Sequence, residues 1–495
     1  MKTPRILLCL PYWAGRNHSV FLGTCDLVDY LRRCGVKAEA FDYDVAHYAA
    51  QQEGISAHQL LLDALTSFNP SFVGIHVNTP NYHNATTLAQ MIKDANPAIK
   101  IIAGGPHASV AWKEILAFHR EFDYVCMGEG ESPLAALLFQ CESTNGHHLP
   151  PGIAGRLDNG EPVCPKLPVK TCCKLPCSDR SVLLESPFPL IRKWAVKRYQ
   201  DNFYNAIASF EGRMTTNAYA ARGCLKSCPY CFPGQFWLSP STSLPQQRVK
   251  SIEALRKEFD YLSNMGYGAV YFDEMAFPLY NRMWVDQFLT TIKEFGLFWG
   301  ASVLFDQVRH IDLNVFYKSG LRYLYFGFET PSRDLQKTIR KETNGDEVLA
   351  FIHSAFSVGI QCDLSMFFGS PGETDDSIRH TVDWLNANLP LGNAFFSIAA
   401  IWPGTEWAKD FKLSPICWED FYPKESLRKR AIWYSHDMTS IGKFFSNSLG
   451  TYHPPFMTEE KAEWIRALII ESGFRDRFAR FARKVNHENE AFRDK

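Results

Sequence analysis

The chain contains no run of about 18 consecutive apolar residues, the length a membrane-spanning helix needs, so no transmembrane segment is expected. It has no surplus of charge: 52 Lys and Arg against 53 Asp and Glu leave a formal net charge of −1. Nucleic acid and anionic membrane surfaces, which select basic partners, are therefore not expected ligands. No secretory leader is expected either, because the apolar run Ile6-Leu-Leu-Cys-Leu10 stops at Pro11 and reads better as a buried strand. Fourteen cysteines without such a leader point to a reducing, cytoplasmic location. No peptide-recognition or nucleic-acid module is evident, which favours a small natural-product or lipid-like substrate.

What is present is an ordinary globular composition, 46% hydrophobic and 21% charged, over 495 residues, enough for two or three domains. Residues 1–145 alternate short apolar runs with helical patterns. Strands are predicted at 5–10, 38–42, 71–77, 100–103 and 122–127, with helices at 20–34, 86–95 and 132–140. This period predicts an α/β, Rossmann-like doubly wound parallel sheet, which binds ligands beyond the carboxyl ends of its strands. Two of those ends are glycine-rich, Gly104-Gly105-Pro106-His107 and Gly128-Glu129-Gly130-Glu131, so backbone can approach a ligand closely.

Residues 146–214 are rich in proline and turn residues and read as an extended surface linker. Cys164, Cys172, Cys173 and Cys177 fall within it at no recognised cluster spacing and read as free thiols. From 215 to 412 six further strand–helix repeats predict a partial (β/α)6, TIM-like barrel. Residues 413–495 begin with aromatics (Trp418, Phe421, Tyr422, Trp433, Tyr434) and continue as a mainly helical segment, with helical spacing at 459–472 and 474–485.

The first barrel strand feeds Arg222-Gly-Cys-Leu-Lys-Ser-Cys-Pro-Tyr-Cys-Phe232, a loop with Cys224, Cys228 and Cys231 at CxxxCxxC spacing. Three neighbouring thiolates suit a [4Fe–4S] cluster and leave one iron without a protein ligand. Structural zinc wants four ligands, and no fourth lies nearby.

This loop, with Tyr230 before its last cysteine, resembles that of the radical S-adenosylmethionine (SAM) family. The downstream strand ends Phe272-Asp-Glu274, Gly327-Phe-Glu-Thr330, Gly369-Ser-Pro-Gly-Glu373 and Pro403-Gly-Thr405 resemble that family's in order and spacing. The glycine-ended strands ahead of the loop resemble the cobalamin-binding domain of cobalamin-dependent radical SAM enzymes of the methyltransferase-like class B. The resemblance implies that Cys224, Cys228 and Cys231 hold the cluster and that SAM chelates the open iron. It places Glu329 near the SAM ribose or amino group, Asp273 and Glu274 in the active site, and Ser302 near the ribose. It sets Gly369 and Pro371 beside adenine and ribose, and Tyr230 at the adenine edge. Cobalamin is implied near Gly74, Gly104, Gly105, Gly128, Glu129 and Gly130. The DxHxxG loop of better-known cobalamin modules is absent: Arg16 and Phe21 stand where its Asp and Gly would be, beside His18. The implied activity is methylation of an unactivated carbon, through a 5′-deoxyadenosyl radical and a methyl group carried by cobalamin. The electron would come from an external flavodoxin- or ferredoxin-like donor. The alternative is a radical rearrangement, cyclisation, dehydration or deoxygenation without methyl transfer, with the cobalamin domain vestigial. Tyr434–His436 and Tyr452-His453 are candidates for a wall of the substrate pocket.

Overall fold

A computed structural model of the chain describes residues 3–12, 19–140, 149–166, 174–231, 247–388, 393–399, 402, 404–410 and 459–472. Arg16, His18, Cys172, Cys173, Pro403 and the tail candidates between 413 and 458 lie outside the described residues, as does the predicted helix at 474–485. The chain divides into two compact units, the first running from Met1 to Asp201 and the second beginning at Asn202. Among the described residues no helix is long and apolar enough to cross a membrane.

The first unit is built on β1 (Arg5–Leu10), β2 (Lys37–Asp42), β3 (Phe72–His76), β4 (Lys100–Gly104), β5 (Tyr124–Cys126), β6 (Ile153–Arg156) and β7 (Pro162–Val163). Their order is β2-β1-β3-β4-β5-β6-β7. The first five are parallel, and β6 and β7 add an antiparallel edge. Strand β1 is buried along nearly its whole length because helices cover both faces, which is why it reads as a continuous apolar run. The order 2-1-3-4-5 reverses direction between β1 and β3, and in such sheets a ligand sits at that switch point beyond the strand ends.

The reading of 146–214 as an extended linker is corrected by the structure. Residues 153–163 complete the sheet edge, and Ser181–Leu184 and Pro189–Gln200 are helices of the first unit. Pro189 occupies the first helical turn, where its missing N–H costs nothing, so the proline marks a helix start. Helix Pro189–Gln200 buries Ile191, Ala195 and Tyr199. The Tyr199 hydroxyl donates to Asp42 Oδ2 at 2.6 Å, and the Arg198 guanidinium donates twice to the Asp44 carboxylate, each at 2.9 Å. Asp44 is wholly buried, so removing its cation strands a charge. Arg198→Ala is expected to destabilise the fold by about 3 kcal/mol, read as a lower urea midpoint. Arg192→Ala, on the exposed face of the same helix, should leave the midpoint in place.

The second unit opens with β8 (Thr215–Ala218), followed by the short pair β9 (Ala221–Gly223) and β10 (Gln247–Val249). Then come β11 (Ala269–Phe272), β12 (Phe298–Val303), β13 (Leu321–Glu329), β14 (Gln361–Phe368) and β15 (Asn393–Ile398). The six-stranded sheet runs β15-β14-β13-β12-β11-β8, parallel throughout, with helices in the crossovers. Strands β8 and β15 stand at its two edges, so the barrel is partial. Alternate residues on each strand serve different layers. Val270, Phe272, Trp299, Ala301, Leu324, Phe326, Leu364 and Met366 join the outer core under the helices. Tyr271 and Tyr323 point the other way and pack in a separate inner cluster with Tyr204 and Phe210. The predicted helix at 459–472 is present as Glu459–Glu471, with Ile465 and Ile469 buried in the outer core and Lys461 paired with Asp375 at 2.7 Å.

Candidate active site

The cysteine loop leaves β9 at Gly223. Strand β9 is held antiparallel to β10, and the Lys250 N–H donates to Ala220 O at 2.7 Å. Cys224 and Cys228 are buried and Cys231 is half-buried. Cys224 packs against Ala276 and Leu304, from the segments that follow β11 and β12, so the loop meets the carboxyl ends of those strands. On its other side the Tyr230 ring lies 5.0 Å from Phe367 and 5.4 Å from Trp407, and the Trp407 N–H donates to Pro229 O. The ring of Tyr230 is thus used to anchor the loop.

Glu329 ends β13 at a register shift that follows Gly327. Its φ of 70° lies in the left-handed region, a conformation a non-glycine residue adopts at a cost and which clusters at functional sites. The strained backbone turns its carboxylate inward, where Lys341 Nζ donates to Oε1 at 2.7 Å and the Tyr230 hydroxyl reaches it at 3.4 Å. Glycine is required at 327 for space: a Cβ there would overlap both Glu329 Oε1 and Lys341 Nζ. Burial pulls the Lys341 pKa down, but the negative charges of Glu329, Cys228 and Cys231 more than offset it and leave it raised. Burial raises the Cys228 thiol against the opposing pull of Lys341. Lys341 escaped the sequence reading because it sits in a helix–loop stretch with no motif around it.

Glu274 follows β11 and is buried. Its Oε1 accepts from the Ala220 N–H at 3.2 Å, while Oε2 is buried with no hydrogen-bond partner among the described residues. Burial holds its pKa well above the usual carboxylate range. Asp273 differs from its neighbour. It is open to solvent, and its Oδ2 accepts a short hydrogen bond from the Tyr204 hydroxyl. Ser302 on β12 is half-buried, with its hydroxyl 2.7 Å from the Tyr271 hydroxyl. The 369–373 loop folds on itself: the Gly369 N–H donates to Glu373 Oε2, and burial lifts the Glu373 pKa to about 7. Ser370 Oγ and Glu373 Oε1 are buried there without partners among the described residues, and Pro371 is half-exposed beside them.

These groups fit the cofactors. Three thiols share one loop, and the buried Lys341 ammonium beside it partly offsets the burial that raises Cys228. Among the described residues no three His, Cys, Asp or Glu side chains converge on a single metal position. A cubane does not require that, because each cysteine binds a different iron. The orphaned Glu274 oxygen suits an ammonium donor, and the orphaned Ser370 and Glu373 oxygens suit a polar ring edge.

In the first unit, Gly104, Gly105, Gly128, Glu129 and Gly130 form half-exposed ends of β4 and β5, open to a ligand. Gly105 (φ 102°) and Gly128 (φ 77°) are left-handed, and a Cβ on Gly105 would come 2.8 Å from Val77 O and 2.9 Å from His76 Nδ1. Gly74 is placed differently. It is buried in β3, and a Cβ there would come 2.6 Å from Leu8 Cδ2, so its missing side chain serves the protein's own core. His107 is buried too, 2.9 Å from Thr79 Oγ1, and burial depresses its pKa to about 3. Gly105→Ala is expected to lower retained cobalamin at least several-fold after reconstitution, read from the corrin absorbance of desalted protein.

A model of the radical SAM superfamily matches residues 219–385. The chain belongs to that superfamily. A B12-binding domain model matches residues 22–138, which places the chain among its cobalamin-dependent members. The cofactors of such a chain are a [4Fe–4S] cluster, SAM and cobalamin. It is 22% identical over 462 residues to the anaerobic magnesium-protoporphyrin IX monomethyl ester cyclase of Rubrivivax gelatinosus, covering 88% of this chain and 77% of that protein. It is 25% identical over 417 residues to an uncharacterized methyltransferase of Pyrococcus horikoshii, covering 82% of each. In fold it is similar to the radical SAM methyltransferase TsrM of Kitasatospora setae (TM-score 0.64, 16% identity, 83% of this chain and 76% of that one). The cobalamin-dependent enzyme OxsB is also similar (TM-score 0.64, 14% identity, 94% and 66%).

Proposed function

We propose that this chain methylates an unactivated carbon of a small substrate. The observation that supports this most directly is the pairing, in one chain, of a B12-binding unit with a cysteine loop set beside the buried Glu329–Lys341 pair and the orphaned Glu274 oxygen. Cys224, Cys228 and Cys231 hold the cluster. Glu274 accepts from the SAM ammonium, Glu329 and Ser302 accept from the ribose or ammonium, and the Gly369–Pro371 turn borders the adenine. Gly104, Gly105, Gly128, Glu129 and Gly130 cradle cobalamin. When bound, and given one electron from an external flavodoxin- or ferredoxin-like donor, the cluster and SAM supply a 5′-deoxyadenosyl radical, and cobalamin supplies a methyl carrier. The protein's part is to orient these groups and exclude water. Lys341 balances the charge of Glu329 and the thiolates so that this interior tolerates them.

The test is anaerobic reconstitution with iron, sulfide, cobalamin and SAM, followed by mass analysis of products. A gain of one CH₂ with formation of S-adenosylhomocysteine supports methyl transfer. Formation of 5′-deoxyadenosine with a product that has gained no carbon overturns it and favours a second reading, cyclisation. That reading draws on the match to the cyclase, which runs through both units.

A further inference from the structure

We propose that Asp273 is the substrate-recognition carboxylate of the barrel lumen, and that the substrate is a small polar molecule presenting a hydroxyl or protonated amine to it. This rests on the radical SAM reading above and adds the class of molecule attacked. The register of the parallel sheet builds a polar layer across the lumen. Phe272 pairs with Ala301, which brings Asp273 level with Ser302, and Ser302 pairs with Tyr325 and Tyr325 with Asp363. One layer toward the carboxyl ends, Gly327 pairs with Ser365. Below the polar layer the lumen is closed by aromatic rings. Tyr204 stacks on Tyr271 at 4.9 Å, Tyr271 lies 5.8 Å from Tyr323, and Phe210 lies 6.4 Å from Tyr323.

Most carboxylates of this lumen are occupied by the protein. Glu329 has Lys341 at 2.7 Å, and Asp363 accepts from Tyr323 at 2.9 Å and from Gln361 at 3.1 Å. Glu274 is buried, with one oxygen accepting from Ala220 and the orphaned one assigned above to the SAM ammonium. Asp273 alone among these is open to solvent, and among the described residues it has no cationic partner, only the Tyr204 hydroxyl. That single donor fixes one oxygen and leaves the other available. The surrounding protein is nonetheless dense enough to raise the Asp273 pKa by desolvation. A carboxylate held this way gains most from a ligand donor and loses most if covered by hydrocarbon, because an unpaired buried charge is costly. Ser302 on the neighbouring strand β12 is half-buried, as are Tyr325 and Ser365 farther across the sheet on β13 and β14, so the molecule that fits meets hydroxyls and a carboxylate rather than an apolar wall. An isoprenoid tail or the face of a macrocycle would strand Asp273.

The test uses the full chain reconstituted with cluster, cobalamin and SAM, and four small probes of similar size: 1-amino-2-butanol, 1,2-pentanediol, 2-pentanone and butyrate. Binding is measured by saturation-transfer NMR. The two donor probes should bind at least tenfold more tightly than 2-pentanone and butyrate. Asp273→Asn should remove the advantage of the amine, and Asp273→Ala that of both donors. Equal affinity across the four probes in the wild type, or a donor advantage that survives Asp273→Ala, overturns the assignment. The same preparation assayed for 5′-deoxyadenosine separates the two levels. Failure to cleave SAM sinks the parent reading, whereas cleavage without donor preference sinks only the role of Asp273.

Discussion

Replacing any one of Cys224, Cys228 and Cys231 by alanine is expected to abolish 5′-deoxyadenosine formation, down to the buffer background. The reconstituted variants should also hold less iron and lose the broad visible absorbance of the cluster. The loss follows from ligand number. Three cysteines leave one iron for SAM, and two leave a cluster without a full protein set. The fold should survive, because the thiols contribute little packing of their own: Cys224 touches Ala276 and Leu304, and Cys231 is only half-buried. Cys34→Ser, at an exposed position in the first unit, should leave iron content and cleavage unchanged. SAM cleavage at the wild-type rate by any of the three variants would remove the central assignment.

The second large effect is expected at the Glu329–Lys341 pair. Both side chains are nearly buried, with relative exposures of 7% and 14%. Lys341→Met leaves the carboxylate uncompensated and should cost about 3 kcal/mol of stability. It should also weaken SAM binding roughly tenfold or more, at about 1.4 kcal/mol per factor of ten. Glu329→Gln strands the ammonium instead and should destabilise to a similar degree. The double variant Glu329→Gln, Lys341→Met separates structure from function. With no charge left unpaired it should recover most of the stability, since a buried ion pair is often replaceable by neutral groups of similar volume. It should not recover SAM affinity, because a neutral amide replaces the carboxylate and accepts only weaker, uncharged hydrogen bonds. Recovery of both, by urea unfolding and equilibrium dialysis of SAM, would make the pair a purely structural feature. The strained φ of Glu329 supports the functional role: a backbone cost at a strand end is retained where it aims a side chain.

Much of the architecture was legible because it is written in local periods. Strand β1 and the inner strands of the first sheet read as apolar runs because helices cover both faces. The six parallel strands of the second unit read as repeats because each is followed by an amphipathic crossover. The segment 174–200 departs from the expectation of an extended linker for a local reason as well. Its prolines suggest extended chain, yet Pro189 opens a helix, and what holds that helix is a set of polar contacts to Asp42, Asp44 and Glu53 from far earlier in the chain. Gly74 and Gly105 illustrate the same limit. Gly74, in the middle of β3, makes room for Leu8, whereas Gly105, just past β4, is left-handed, and composition does not distinguish them.

The cysteine loop was legible from sequence alone, since three thiols at CxxxCxxC spacing within eight residues need no tertiary contact to be recognised. So was the α/β class, a Rossmann-like sheet followed by a partial barrel, because both follow from short-range periodicity. Tertiary structure alone decided which side chains those ends share. Lys341 reaches Glu329 across 12 residues, Tyr204 reaches Asp273 across 69, and Tyr230 reaches Glu329 across 99. No periodic signal spans such separations. The bulge after Gly327 gives Glu329 its cation, and the end of β11 leaves Asp273 exposed with only the Tyr204 hydroxyl among the described residues.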